Sequence, residues 1–488
     1  MRPLEICLIS AELAPLAKSG GLGDVCAALA RHLHLAGHEL RVFLPFHSLI
    51  ATTDREVVPV DFLRDLASPL AGREYRYSIF TTPLPGSPLW VYLIDCPELY
   101  DRPTLYTSAR DEDLRFALLQ RAAIESCQRM GFGPDIVHAH DWHAALAPLY
   151  LRRVFGWDQL FADTRVVLTI HNLAHQGVFP HSTIERIGLG NERHLFPSED
   201  LDEGKVNFLK TGLLHADWLT TVSPTYAEEI QSRELGLGLD GILRERHDRL
   251  TGILNGVDYD EWNPSTDPWV PHPYDASDLS GKRRTKQALL RELSLDPDPE
   301  PALLGIVSRL VVQKGFDLLF GPLPDLLARS GARLAVLGSG EPRYEGFFSA
   351  LQDRFPGQVC FYRGFSEQLA HRIEAAADIF LMPSQFEPCG LNQMYSLRYG
   401  TVPVVRKTGG LADSVEPYDR ATGRGTGFVF EHFTPDGFRW ALEEALSLYR
   451  DAEAWRGLVT NGMARDFSWD RQIGRYVDLY RALLPSAG

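Results

Sequence analysis

Two doubly wound α/β domains are what this sequence predicts, and three observations carry the expectation. At 488 residues the chain exceeds the size at which a single hydrophobic core keeps growing. Short apolar runs alternate with longer amphipathic stretches, the signature of parallel strands joined by helices and covered on both faces. That alternation fills the first half, gives way to a proline-rich stretch, and then begins again.

In the first half the strand-like runs are Leu4–Ile9, Val42–Leu44, Trp90–Ile94, Ile136–His138, Val166–Ile170 and Leu219–Val222. Helical spacing separates several of them, as in Val25/Leu29/Leu33 and Phe116/Leu119/Ala123/Ile124. Residues Asn263 to Pro301 are rich in proline, with one helical patch around Lys282–Leu293, and mark the junction region. The second half supplies Leu303–Val307, Leu334–Leu337, Val359–Tyr362, Ile379–Met382, Val402–Val405 and Phe428–Phe430. From Trp469 to Leu484 apolar residues fall at Ile473, Tyr476, Val477, Leu479, Tyr480 and Leu483, again at helical spacing.

Composition narrows the function. Lys plus Arg is 49 against 64 Asp plus Glu, and the net charge of −15 argues against nucleic acid or an anionic membrane as a partner. A neutral polymer, or a small anion held by a local basic pocket, stays compatible. The six cysteines show no C-x-x-C spacing, so neither a zinc framework nor a disulfide scaffold is indicated. The N-terminal apolar run is interrupted by Glu5 and Glu12 and does not read as a secretory signal, so a cytoplasmic location is expected. Residues Val166 to Ile184 carry no Asp, Glu, Lys or Arg, yet His171, Asn172, His175, Gln176 and Pro180 exclude a membrane span.

The chemistry-bearing residues gather where strands end. Lys18-Ser19-Gly20-Gly21-Leu22-Gly23-Asp24 follows the first strand and opens a helix, a place where backbone N–H groups and a helix dipole meet an anion. Its order matches neither the nucleotide-triphosphate loop nor the dinucleotide fingerprint. Lys407-Thr408-Gly409-Gly410-Leu411-Ala412-Asp413 echoes it late in the second half. His138-Ala139-His140-Asp141-Trp142-His143 sits at another strand end, and metal ligation, polar substrate contact and a structural role all fit it. His171-Asn172 repeats the placement, and Asn255-Gly256 is a turn.

In the second half Arg309 and Lys314 stand five apart after a strand, spaced to bracket a diphosphate through a planar fork and a point charge. Glu387 lies in a turn after Ile379–Met382, and the Gly390-Leu391 amides open the next helix. Open α/β sheets bind ligands at the carboxyl ends of their strands, which makes the shared position of these groups the common argument.

Taken in order, Lys18-Ser19-Gly20-Gly21-Leu22, His140-Asp141-Trp142, His171-Asn172, Asn255-Gly256-Val257-Asp258, Arg309 with Gln313-Lys314-Gly315, Glu387-Pro388-Cys389-Gly390-Leu391 and Thr408-Gly409-Gly410-Leu411 resemble the bacterial glycogen synthase and plant starch synthase family. The resemblance spans nearly the whole chain. It implies the GT-B fold, two Rossmann-like domains facing across a deep cleft: residues 1–253 on the acceptor side, 254–466 on the donor side, and a terminal helix, 467–488, crossing back to the first domain. It implies a retaining glucosyltransferase that moves glucose from ADP-glucose to the non-reducing end of an α-1,4-glucan, glycogen or a maltooligosaccharide, with no metal and no other cofactor.

By the same resemblance Arg309 and Lys314 neutralise the departing diphosphate, Glu387 holds glucose hydroxyls and steadies the oxocarbenium-like state, and His171 and Asp141 contact glucose or acceptor hydroxyls. Lys18, Gly20 and Gly21 serve the phosphate or acceptor side, Asn255 the glucose, and Gly390 and Leu391 the phosphate. Two donor-binding positions depart from the family pattern: Phe365 stands where enterobacterial members carry a Tyr against the adenine, and Asn392 replaces the common Thr. A glucan phosphorylase shares the architecture but needs pyridoxal phosphate and a much longer chain. A catalytically dead glucan-binding protein would not need Lys18, His171, Arg309, Lys314 and Glu387 together.

Overall fold

The computed structural model describes residues 2–53 and 55–485. These residues form two compact units: one holds 2–53, 55–222, Ala227–Gly256 and 469–485, the other Ser223–Tyr226 and Val257–Ser468. The proline-rich stretch Asn263–Pro301 therefore lies wholly inside the second unit, where Ser280–Glu292 forms a helix.

The first unit is built on a ten-stranded sheet. Its parallel part runs, in spatial order, Leu250–Gly252, Trp218–Thr221, Arg165–Ile170, Ile136–His140, Glu5–Ile9, Glu39–Pro45 and Trp90–Asp95. The first strand, Glu5–Ile9, thus has Glu39–Pro45 on one side and Ile136–His140 on the other, so the order of connection reverses beside it. The sheet then continues through antiparallel partners that the alternation of runs and helices does not announce. Arg73–Pro83 pairs with Trp90–Asp95, and Leu66–Leu70 and Val58–Pro59 pair with Arg73–Pro83. In Arg73–Pro83 the buried side chains Tyr75, Tyr77 and Ile79 alternate with more exposed ones, the pattern of a half-covered strand rather than of a continuous apolar run.

The second unit is a six-stranded, wholly parallel sheet in the order Val359–Arg363, Arg333–Gly338, Leu303–Val307, Ile379–Met382, Val402–Arg406, Phe428–Phe430. Numbered within the unit this is 3-2-1-4-5-6, the dinucleotide-fold order, whose switch point falls between the first and fourth strands. Its strands are apolar on both sides because both sides are covered. Leu304, Ile306, Leu334, Val336, Ile379 and Leu381 enter one core, and Leu303, Ala335, Leu337, Phe380 and Met382 enter the other.

Trp469–Leu483 is a helix whose Trp469, Tyr476, Val477 and Tyr480 are buried in the core of the first unit. Trp469 stacks on His32 of the helix Gly21–Leu35, and Tyr480 reaches His138 through its hydroxyl at 2.7 Å. No helix among the described residues is long and apolar enough to cross a membrane. No disulfide joins the cysteines among those residues, five of which are buried.

Candidate active site

In the first unit the groups singled out by sequence collect at the reversal point of the sheet. The turn carrying Lys18 follows Glu5–Ile9, His140 ends the neighbouring strand with Asp141 opening the helix after it, and His171 follows the last residue of the strand Arg165–Ile170. Asp141 is tied to the His171 segment: its Oδ1 accepts the His171 amide at 2.7 Å, and the Asn172 amide also bonds the carboxylate. Its backbone sits at φ +57°, a left-handed conformation that a non-glycine residue adopts at a cost of about 1–3 kcal/mol, so the surrounding bonds hold it there. Burial pushes the carboxyl up to about 7, against the pull of the two amides.

The histidines beside it are neutral imidazoles. His140 Nδ1 lies 2.9 Å from His171 Nε2, and His138 Nε2 lies 2.6 Å from the Thr169 hydroxyl. Burial lowers His138 and His171 to about 3 and depresses His140 and His143 as well, because a charged ring finds no water there. His171 therefore acts as a hydrogen-bonding group and not as a cation. Asn255 is also buried, and its side-chain Oδ1 has no hydrogen-bond partner among the described residues, which leaves a polar atom set for a ligand hydroxyl.

The glycine turn differs from its expected form. The Gly20 amide is already occupied: Glu12 Oε2 accepts it at 3.2 Å and the Ser19 amide at 2.7 Å, while Oε1 takes the hydroxyls of Ser19 at 2.7 Å and Tyr106 at 2.5 Å. An internal carboxylate thus fills the place assigned to an external anion at Gly20, and Gly21 begins the helix. Lys18 remains partly exposed with its Nζ 2.8 Å from Asp24. No spacing rule pointed to Glu12, since only the folded loop brings it back to Ser19 and Gly20.

In the second unit Arg309 and Lys314 follow the first strand of the sheet and Glu387 follows the fourth, one group on each side of the switch point. Lys314 Nζ lies 2.6 Å from Glu387 Oε2, which also accepts the Ser384 hydroxyl at 3.0 Å; Glu387 is buried, while Arg309 stays exposed. The two loops are laced by backbone contacts: Gln385 N donates to Gln313 O at 2.8 Å, and Gly315, at φ +68°, leaves so little room that a Cβ would fall 2.0 Å from the Pro383 carbonyl oxygen. The second glycine turn supports the same loop from beneath. Gly410 N donates to Glu387 O at 3.1 Å, and a Cβ on Gly409 would fall 1.9 Å from that oxygen.

The remaining predicted residues take different places. Gly390 is at φ +70°, Leu391 is the N-cap of the helix Asn392–Arg398, and Asn392 donates its side-chain amide to Val307 O at 3.0 Å, joining that helix to the first strand of the unit. The Asn392 amide nitrogen is thus committed to the fold, where sequence assigned the residue to donor binding. Phe365 follows the edge strand Val359–Arg363, with Arg333–Gly338 between that strand and the switch-point strands, and its ring is 76% exposed. Ser384, absent from the sequence-based set, is legible only once Glu387 is seen to need a second partner.

Comparison with known proteins agrees with this arrangement. Residues 5–245 match the family model of the starch synthase catalytic domain, and residues 293–457 that of group 1 glycosyl transferases. The chain is 45% identical over 487 residues to a glycogen synthase of Anaeromyxobacter dehalogenans, covering 99% of this chain and 100% of that one. It is 44% identical over 498 residues to glycogen synthase 1 of Methylococcus capsulatus, covering 99% and 97%. Among solved structures it superposes on the catalytic domain of starch synthase IV from Arabidopsis thaliana, bound to ADP and acarbose, with a TM-score of 0.90, 35% identity and 99% coverage of both chains. A likeness of this extent leaves one conclusion: the chain belongs to the bacterial glycogen synthase and starch synthase family of glycosyltransferases.

Proposed function

We propose that the chain is a glycogen synthase: it transfers the glucosyl group of ADP-glucose to the non-reducing end of an α-1,4-glucan, with retention at the anomeric carbon. The observation that carries this reading is the switch-point set of the second unit, two cations after one strand and a buried carboxylate after its neighbour. Full-length identity to glycogen synthases supports the donor and acceptor, and the ADP and acarbose bound by the Arabidopsis relative agree with both.

In the reaction the bond between glucose C1 and the diphosphate oxygen breaks, and its electron pair leaves on ADP. The acceptor 4-hydroxyl forms the new bond to C1 and gives its proton to the departing diphosphate oxygen, so the products are ADP and a glucan one residue longer. Arg309 and Lys314 meet the charge growing on the diphosphate, a preorganised electrostatic role that stands in for a metal ion. Glu387 holds glucose hydroxyls and stabilises positive charge at C1. His171, as a neutral ring, and Asp141 bond hydroxyls of the glucose or the acceptor, and Asn255 offers its Oδ1 to the glucose. Lys18 and Gly21 serve the phosphate or acceptor side, Gly20 acting only through the turn that Glu12 holds, Gly390 and Leu391 serve the phosphate, and Phe365 stacks on the adenine. The buried cysteines and the absence of disulfides among the described residues fit a cytoplasmic enzyme.

The test is radiolabel transfer into glycogen from ADP-glucose and, in parallel, from UDP-glucose, with EDTA present. Strong incorporation from ADP-glucose that ignores the chelator is expected. Incorporation from neither donor would overturn the assignment, and loss of activity on chelation would overturn the metal-free role of Arg309 and Lys314.

A further inference from the structure

Within the second unit, among side chains given no part in the reaction, Glu261, Glu367 and His371 each bring one ligand atom within 4.8 Å of the others. Glu367 and His371 are four apart in the helix Glu367–Ala376, so their side chains leave the same face, and Glu261 joins them from the loop preceding Trp262. The two carboxylate residues are exposed, whereas His371 is 2% exposed.

The histidine is built as a ligand is built. Its Nδ1 is 2.7 Å from Asp267 Oδ2, an oxygen that also accepts the Tyr399 hydroxyl at 2.5 Å. Its ring is clamped by Trp262, with centroids 3.8 Å apart and planes 14° from parallel, and Trp262 in turn stacks on Tyr395 at 3.8 Å and 2°. With Nδ1 held by a carboxylate, the nitrogen left over is Nε2, which is buried and has no hydrogen-bond partner among the described residues. A carboxylate on one ring nitrogen fixes the tautomer and orientation that present the other nitrogen's lone pair to a metal. A buried acceptor with no donor supplied is otherwise an unmet cost.

We propose that Glu261, Glu367 and His371 form a binding site for a divalent transition-metal ion of the zinc class, with Asp267 as the carboxylate behind the histidine. One imidazole nitrogen and two carboxylates suit zinc, whereas magnesium prefers oxygen ligands in a near-octahedral shell. The ion ties the Glu261 loop to the start of the helix, two residues beyond Phe365. It stabilises the unit and takes no part in sugar transfer, so chelation leaves turnover intact.

The test titrates metal-free protein with zinc ion alone, read by calorimetry and by the melting temperature. One-to-one binding and an upward melting shift are expected, with neither produced by magnesium. The double variant Glu261→Gln/Glu367→Gln changes only exposed side chains; it should lose at least tenfold in zinc affinity and the whole melting shift, with ADP-glucose turnover in metal-free buffer unchanged. Absence of one-to-one binding in the wild type would overturn the site. So would wild-type affinity in the double variant, which would move the ion elsewhere, for example to the cluster of Cys26, His140 and His171.

Discussion

Lys314 Nζ and Glu387 Oε2 lie 2.6 Å apart, joining the loops after the first and fourth strands of the second sheet. The ion pair spans the point where the strand order reverses. It fixes the carboxylate and the ammonium with respect to each other before any donor arrives, which is preorganisation in the sense that matters for charge developing during transfer.

Removing either partner has two separable consequences. Lys314→Ala and Glu387→Ala should each lower kcat by about a hundredfold or more, while the chain still folds. Lys314→Ala should also cost on the order of 3 kcal/mol of stability, because among the described residues it leaves the buried carboxylate only the Ser384 hydroxyl as a side-chain partner. Steady-state kinetics and denaturant unfolding separate the effects; near-normal turnover in either variant removes that residue from the mechanism.

Asp141 gives the enzyme a pH signature. Its carboxyl is raised to about 7, so it holds its proton below that pH and becomes a carboxylate above it, while His171, lowered to about 3, stays neutral throughout. With the carboxylate as the working form, kcat/KM should rise as pH passes through 7. Asp141→Asn should flatten that limb, and an unchanged limb in the variant would assign the titration to another group. The same shift has a stability side: the folded state binds this proton more tightly than the unfolded one, so its stabilisation is complete below about 4 and is lost as pH rises to about 7.

Glu12 carries the glycine turn. Glu12→Ala strands the Ser19 and Gly20 amides and the Tyr106 hydroxyl, and should lower stability by about 2 kcal/mol. Activity should fall with it, since Lys18 is carried on the same turn. A melting curve that matches the wild type would show that water replaces the carboxylate without loss.

The proposed stacking of Phe365 on the adenine predicts an effect on binding and not on chemistry. Stacking on a base contributes about 1–3 kcal/mol, so Phe365→Ala should raise KM for ADP-glucose by roughly tenfold and leave kcat nearly unchanged. Phe365→Tyr should retain wild-type KM or improve it. An unaltered KM in Phe365→Ala would free this exposed ring from the adenine.

Gly315 tests the contact between the two loops. At φ +68°, with a Cβ 2.0 Å from Pro383 O, alanine cannot be accommodated without moving one loop. Gly315→Ala should cost on the order of 2 kcal/mol and reduce kcat through displacement of Lys314. Wild-type melting and turnover would show that the loops yield freely.

Much of the fold was legible because buried parallel strands are written as continuous apolar runs: Leu303–Val307, Ile379–Met382 and Phe428–Phe430 occur at the residues their hydrophobicity marks. The helix Trp469–Leu483 was legible for the same reason, since its apolar spacing records the face it buries. Arg73–Pro83 was not, because an antiparallel strand at the sheet margin alternates buried and exposed residues and reads as neither run nor helix.

By itself the sequence determined the parallel strands other than Leu250–Gly252, and the strand ends at which Arg309, Lys314, Glu387, Asp141 and His171 emerge, because these follow from local periodicity and chain order. Tertiary structure alone decided which of them meet. Lys314 and Glu387 are 73 residues apart and Asp141 and His171 are 30 apart; only the order of strands in each sheet makes them neighbours. It also decided that Glu12 rather than an external anion takes the Gly20 amide, and that His171 is uncharged. Both depend on burial and on distances through space, which no spacing along the chain encodes.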